Sequence, residues 1–491
     1  MDLDEFADMV PSVAREFERS RVPDPRLHRR VMSLGDGWAA APSKGIPQMA
    51  RSAAELESTY RLLSNRRVTY RGVMQGHREA TAERARQAGT VLVLQDTTEM
   101  SFRGDAQRSG LGRLRGNDQG FLAHCALAVS ADGSRCPLGL LDLMCWARTG
   151  PIRSRKAKRS GSECAKQLDS ESARWAKTVE SVSELVGPGT SLIHVMDREA
   201  DSYRLLSALV EQGHRFVIRV ARDRCVIDED DEPLKLSETL CGLDDLVEVE
   251  VPLSRRAASP MPGKRGTHPP RRARTARLAF SAVAMELKRP QYLTNEPETL
   301  PVHFIHVREI EPPDGEEPVA WVLVTTEPIR TAADVTAIIE HYRTRWLIEE
   351  FFRALKTGCR IEERQLESFA ALTNALAIFV PIAWQMLVLR HLARTAPEAP
   401  AQAVLSDVQI EALTACAKSK LPPRPSVRDA LFAIAALGGH IKHNGEPGWQ
   451  TLARGLEQLN IFAAGWSAAL SAARRADQPA ALTPRRGRNQ A

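Results

Sequence analysis

At 491 residues the chain is too long for one ordinary core, so two or three domains are expected. Hydrophobic residues make up 43% and charged residues 26%, a balance that excludes a disordered or fibrous chain. The net charge of +6, with a pI near 8.9, permits a polyanionic partner without requiring one.

The acidic start Met1-Asp2-Leu3-Asp4-Glu5 has no signal-peptide pattern. The 8 cysteines form no C-x-x-C pair and no Cys/His zinc spacing, which points to reduced thiols in a cytosol. The run Ala370 to Leu392 is apolar enough to raise the question of a membrane span. Because it contains Thr373, Asn374, Pro381 and Gln385, it reads as a buried helix. A soluble, cytoplasmic protein with no membrane partner is expected.

Residues 1–75 read as short helices broken by Pro23, Pro25, Pro42 and Pro47, with basic residues recurring among them. Strand-like runs follow at 90–95, Phe121 to Val129 and Leu138 to Trp146. A helical stretch spans Lys166 to Val186, then a strand at 191–196, a helix from Ser202 to Glu211 and a strand from Phe216 to Val220. The order β-β-β-α-β-α-β is ribonuclease-H-like, a fold in which the first and fourth strands are neighbours. The expected fold class is therefore α/β, with a catalytic core at 76–370.

Between about 225 and 325 the helical signal disappears, and Val247-Glu248-Val249-Glu250-Val251 alternates with period two. This region reads as an inserted antiparallel β subdomain. Its strands are joined by a Pro/Arg-rich loop from Arg255-Arg256 through Lys264-Arg265 to Arg274, which either faces water or settles on phosphates. From 371 to 491 the chain is helical, ending in a basic tail at Arg485, Arg486 and Arg488.

Three carboxylates stand out against this layout. Asp96 ends the run Val91-Leu92-Val93-Leu94-Gln95, Asp197 ends Leu192-Ile193-His194-Val195-Met196, and Glu349 lies on a later helix. Two strand-end aspartates and a helical glutamate have the donor chemistry to share a pair of Mg²⁺ ions. On the helix, Tyr342, Arg345, Glu349 and Lys356 fall within an arc of about 60° at ~100° per residue, and Arg353 joins that face. Leu347, Ile348, Phe351, Phe352 and Leu355 lie opposite and are expected to pack on the sheet.

These segments carry a resemblance. Gln95-Asp96-Thr97-Thr98, Asp197-Arg198-Glu199-Ala200-Asp201 and the spaced set Tyr342, Arg345, Glu349, Lys356 resemble bacterial cut-and-paste transposases of the DDE type. The similarity is to the transposon-five (insertion-sequence-four) group in particular, with the last set matching its YREK signature. It extends through Trp346, Ile348, Glu350, Phe351, Thr357 and Gly358, and runs from about Asp24-Pro25-Arg26 to Gly465-Trp466.

The resemblance implies that Asp96, Asp197 and Glu349 bind two Mg²⁺ ions, with Mn²⁺ able to substitute. Tyr342, Arg345 and Lys356 would hold phosphates near the transposon end, and Trp321 would stack on a base flipped from the duplex. The competing reading of Trp321 is a core tryptophan beside the strand Val322-Leu323-Val324. Residues 1–75 would bind the transposon end, with Arg26, Arg30 and Arg61 as the contacts. Residues 371–491, notably Ala430 to His440, would form a homodimer. The implied DNA partners are the terminal inverted repeats and target DNA, with the bound protein associated with the nucleoid. The implied reaction runs through nicking, hairpin formation, hairpin opening and strand transfer, and the absence of a P-loop pattern agrees with it. A metal-dependent nuclease on the same fold and an inhibitory DNA-binding regulator are the alternatives.

Overall fold

The computed structural model describes residues 12–104, 107–114, 118–148, 172–228, 232–255, 258–260, 267–441 and 445–476. The expected start of a helix at Lys166, the loop residues Arg256, Lys264 and Arg265, and the basic tail lie outside that set.

The sheet is built first by its apolar strands. In β1 (Thr90–Phe102), Val91, Leu92, Val93 and Leu94 have no exposed surface, and every residue of β2 (Gln119–Ser130) beyond Gln119 is buried. Strands buried on both faces need cover on both. On one side this comes from α3 (Tyr70–Ala88) and α4 (Ser172–Val186). β1 pairs antiparallel with β2, which pairs antiparallel with β3 (Pro137–Trp146). On its other side β1 runs parallel to β4 (Ser191–Met196), which runs parallel to β5 (Arg215–Arg219) across α5 (Tyr203–Glu211). The spatial order β3-β2-β1-β4-β5 is the ribonuclease-H-like arrangement read from the sequence.

The strands between 225 and 325 depart from expectation. They comprise β6 (Cys225–Ile227), β7 (Pro233–Lys235), β8 (Val247–Leu253), β9 (Arg274–Lys288), β10 (Thr299–Glu309) and β11 (Ala320–Thr325). Rather than forming a separate subdomain, they continue the core sheet. β11 pairs antiparallel with β5, β10 with β11, and β9 with β10, giving one 12-stranded sheet among the described residues. β5 would otherwise offer an open edge, and the fully buried Leu323 and Val324 of β11 close it. A short helix, Leu236–Cys241, also interrupts this stretch.

Around the sheet lie α1 (Pro25–Ala40), α2 (Ala53–Leu63), α6 (Ala332–Thr344), α7 (Trp346–Arg353), α8 (Phe369–Thr395), α9 (Asp407–Cys416), α10 (Val427–Leu437) and α11 (Trp449–Ala476). α8 is long and apolar enough to cross a membrane, yet 94% of its most apolar window is buried inside the protein. Its polar groups have internal partners. Asn374 donates to the carbonyls of Leu63 and Val68 at 2.9 and 3.0 Å, and Trp384 donates to that of Pro137 at 2.9 Å. It is a core helix holding α1, α2, α3, β3 and α10 together.

The 75/76 position falls inside α3, and one continuous hydrophobic core takes in residues from α1, the sheet and α10. In α10, Ala430, Leu431, Ala433, Ile434 and Ala435 are buried within the chain, so most of the apolar stretch expected to face a second copy packs internally. α10 and α11 cross closely: a Cβ added at Gly455 would lie 1.9 Å from the Ile434 carbonyl oxygen.

A buried ionic cluster ties the N-terminal segment to this core. Glu16 accepts from Arg84 at 2.8 Å and from the His77 Nδ1–H, while His77 Nε2 accepts from the Leu140 amide at 3.0 Å. Burial pushes the Glu16 carboxyl up, but Arg84 and His77 more than reverse this and bring it down to about 2 from 4.5. A depressed carboxyl stabilises the fold above its unfolded pKa, and that contribution fades as pH falls from 4.5 toward 2. Glu16→Gln should therefore cost on the order of 3 kcal/mol at pH 7. Urea denaturation should show the gap between the two proteins narrowing from pH 5 to pH 3, whereas a gap independent of pH would contradict this account.

Candidate active site

The three carboxylates are brought to one end of the parallel strands. Gln95 and Met196 form the last pair between β1 and β4. Asp96 and Asp197 follow at the next position on each chain, and adjacent strands lie about 4.8 Å apart. Asp96 is not at a strand end, as the sequence suggested, because β1 continues to Phe102 against β2 with Asp96 opposite Cys125. The alternation from Thr97 to Phe102 pairs with buried β2, so β1 outlasts its parallel neighbour. Asp197 does leave β4, and its Oδ1 accepts from the Glu199 amide at 2.6 Å. Asp201, in the same motif, is a clamp: it accepts from the Ala221 amide at 2.7 Å and from Arg224.

The helix carrying Glu349 is not one straight rod. α6 closes with the Arg345 amide bonded to the Tyr342 carbonyl, and α7 opens with Ile348 bonded to Arg345, both short i to i+3 bonds. After Arg353 the backbone widens into a π-helical turn, Ala354–Gly358. Such turns re-aim side chains, so a single arc computed at constant pitch does not carry through to Lys356. The buried face matches expectation at Ile348, Phe351, Phe352 and Leu355.

Arg345 is the centre of the cluster. Its guanidinium donates to Asp96 Oδ2 at 3.0 Å and to Glu349 Oε1 at 2.5 Å, and its side chain is only 14% exposed. Among the described residues, no group of three or more His, Cys, Asp and Glu stands ready to hold a metal ion. Of the three carboxylates expected around a common cation, Asp96 and Glu349 converge on an arginine instead. Asp197 is near enough to act electrostatically on both Asp96 and Tyr342. Burial is the largest influence on Asp96 and lifts its carboxyl to about 7; Arg345 lowers it, and the charges of Asp197 and Glu349 raise it further. Carboxylates crowded in this way attract positive charge strongly. A divalent cation bound by these oxygens is chemically suited to the donor set once Arg345 moves.

Tyr342 is partly buried, which pushes its phenol up, while Arg345 and Arg219 lie near enough to draw it down. Arg219 was not singled out from the sequence. It ends β5, which runs parallel beside β4, so the strand-end logic that identified Asp197 also points to it. Lys356 donates to the Glu99 carbonyl at 2.6 Å and lies 3.6 Å from Glu362, further along β1 from Asp96. Arg353 departs from the expected face: it pairs with Glu350 at 2.8 Å and lies over the Trp346 ring.

Trp321 lies within β11 opposite Val307, half-buried, with its indole N–H enclosed and unpartnered. Of the N-terminal arginines, Arg26 and Arg61 are exposed, the latter beside Glu57. Arg30 instead joins α1 to α2 by donating to the Glu55 carbonyl at 2.8 Å and to Thr59 at 3.2 Å.

The family model described as "Transposase DDE domain" matches residues 163–380, a span that includes Asp197, Tyr342, Arg345, Glu349 and Lys356 and begins beyond Asp96. The one described as "Transposase DNA-binding" matches residues 11–68, including Arg26, Arg30 and Arg61. Among solved structures, a cryo-EM structure of the piggyBac transposase synaptic complex with hairpin DNA is similar at 10% identity and a TM-score of 0.35. The similarity covers 98% of this chain and 73% of that one, and is too distant to bear on the reading. The chain thus carries a transposase DNA-binding region ahead of a transposase DDE domain, the domain of an enzyme that cleaves DNA strands and transfers them.

Proposed function

We propose that the protein is a cut-and-paste transposase of the transposon-five (insertion-sequence-four) group, acting as a homodimer on the terminal inverted repeats of a bacterial element. The observation that carries this reading is the gathering of Asp96, Asp197 and Glu349 with Arg345, Tyr342 and Arg219 at one end of the parallel strands. Asp96, Asp197 and Glu349 would hold two Mg²⁺ ions, or Mn²⁺ in their place. When bound, such ions lower the pKa of water or of a 3′-hydroxyl and neutralise charge developing on the phosphodiester.

The protein's own groups then divide the work. Arg345 exchanges its carboxylate partners for a DNA phosphate, which frees Asp96 and Glu349 for cations. Tyr342 and Arg219 hold the adjoining backbone, with Lys356 one step along β1. In this reading Trp321 turns its ring toward a base displaced as the 3′-hydroxyl attacks the opposite strand and closes a hairpin. Arg26 and Arg61, exposed on α1 and α2, meet the terminal repeat, and Arg30 holds those helices in register. The exposed Ile461, Phe462, Trp466 and Leu470 on α11 support a contact between two copies.

The direct test incubates the protein with Mg²⁺ and a duplex bearing the element's own terminal repeats. Hairpin-ended products are expected. Nicks or blunt cuts alone would mark a nuclease, and tight binding without cutting a regulator. Asp197→Ala should lose all detectable cleavage while its affinity for the duplex stays within about threefold, since binding rests on phosphate and base contacts elsewhere. Equal loss of both would make Asp197 structural.

A second expectation follows from charge. Arg345→Gln leaves Asp96 and Glu349 without their shared cation, so in EDTA its melting temperature should fall by about 2–4 °C. Millimolar Mg²⁺ should restore most of that loss. A deficit indifferent to Mg²⁺ would contradict a cation site at these carboxylates.

A further inference from the structure

Directly beneath Asp96, on the other face of the sheet, lies a row of polar side chains that the chemistry above does not use. Residues on either side of Asp96 in β1 point away from it. Gln95, His124 and His194, from three adjacent strands, are each 1% exposed or less. The Thr97 hydroxyl is 2.8 Å from His124 Nδ1, His124 Nε2 is 3.4 Å from Gln95 Oε1, and Gln95 Nε2 is 3.0 Å from His194 Nδ1. The His124 ring stands edge-on to Trp175 of α4, at 4.6 Å between centroids.

With the Gln95 amide oriented as it is here, one set of tautomers satisfies the row. The Gln95 amide nitrogen donates, so His194 Nδ1 accepts and that ring carries its proton on Nε2. The Gln95 amide oxygen accepts, so the His124 proton is on Nε2 and Nδ1 takes the Thr97 hydroxyl. Burial pushes both imidazoles down to about 3, so both are neutral and each holds a single tautomer. The row ends at His194 Nε2, a buried donor with no acceptor among the described residues. An unsatisfied donor of this kind costs about 1–3 kcal/mol, so a row that ends on one is not explained by stability.

Its near end touches the site. The Thr97 backbone N–H donates to Asp96 Oδ1 at 2.7 Å, leaving Oδ2 for Arg345. We propose that Thr97, His124 and Gln95 are positioning residues, which fix the β1 backbone on both sides of Asp96 and thereby aim its carboxylate at the cation site. The inference rests on the reading of Asp96 as a metal ligand. Fixed ligands bind a metal more tightly because less ordering remains to be done on binding, and outer partners of metal ligands typically contribute 10–100-fold in affinity.

The test measures Mn²⁺ binding to the full chain on a duplex bearing the element's terminal repeats, which draws Arg345 off the carboxylates. It uses electron paramagnetic resonance of the free ion with the duplex alone as blank, and follows melting temperature alongside. Thr97→Val keeps the shape and removes the hydroxyl, and it should weaken Mn²⁺ binding 10–100-fold, with only the modest fall in melting temperature that leaving the buried His124 Nδ1 unpaired entails. Thr97→Ser restores the hydroxyl and should bind Mn²⁺ nearly as wild type does. Gln95→Met breaks the row one residue further on and should weaken binding in the same direction. Wild-type affinity in Thr97→Val, or equal impairment in Thr97→Val and Thr97→Ser, would overturn the inference while leaving the function of the site intact. A wild-type complex that binds no more Mn²⁺ than the duplex alone would contradict the underlying reading of the carboxylates, and the positioning role would fall with it.

Discussion

Mutual repulsion among Asp96, Asp197 and Glu349 is the constraint on which the site depends. Their backbones are committed to this proximity by the pairing of β1 with β4 and by the packing of α7 beneath its apolar face. Such a pocket must contain positive charge at neutral pH, bind protons or distort. In this structure the charge is Arg345, bonded to two of the three. In the proposed function the same force that recruits an arginine recruits a divalent cation, and a DNA phosphate competes for the arginine. That proposal links binding of DNA and loading of metal through one side chain, and linkage of this kind acts equally in both directions.

Support for the site comes from deeper in the fold. α8 fixes the connection between α2 and α3, and β3, through buried hydrogen bonds from Asn374 and Trp384, and α3 in turn anchors the N-terminal segment through Arg84, His77 and Glu16. On the other side of the catalytic helix, Glu350 is buried between Arg353 and Arg390. The carboxylate that faces the pocket and its buried neighbour are therefore held by different parts of the protein. The break at Arg345 and the π turn at Ala354–Gly358 let one short helix satisfy both.

Much of this architecture was legible in the sequence, for identifiable reasons. The short, Val/Ile-rich runs at Val91–Leu94 and Leu192–Met196, the second broken only by His194, read as strands buried on both faces, and their order places the two side by side. The acidic residue following each run was therefore readable, as was the amphipathic face of α7. What was not legible depends on distant pairing or on backbone irregularity. Nothing local to Thr97–Phe102 says that β1 continues beyond Asp96, since β2 supplies that support. The joining of β11 to β5 is likewise a non-local pairing. A constant helical pitch cannot anticipate the widened turn that carries Lys356, and it misplaced Arg353, which Glu350 and Trp346 hold elsewhere. Arg219 was missed because it is a cation on an ordinary-looking strand, and only its neighbours give it meaning.

In the proposed mechanism the three carboxylates surround a cation position that Arg345 vacates on DNA. Anomalous diffraction from crystals of the protein bound to a terminal-repeat duplex in Mn²⁺ tests it most directly. The account predicts Mn²⁺ peaks bounded by Asp96, Asp197 and Glu349, with the Arg345 guanidinium turned onto a phosphate. Arg345 still bridging Asp96 and Glu349 in that complex, with Mn²⁺ absent or bound elsewhere, would contradict it.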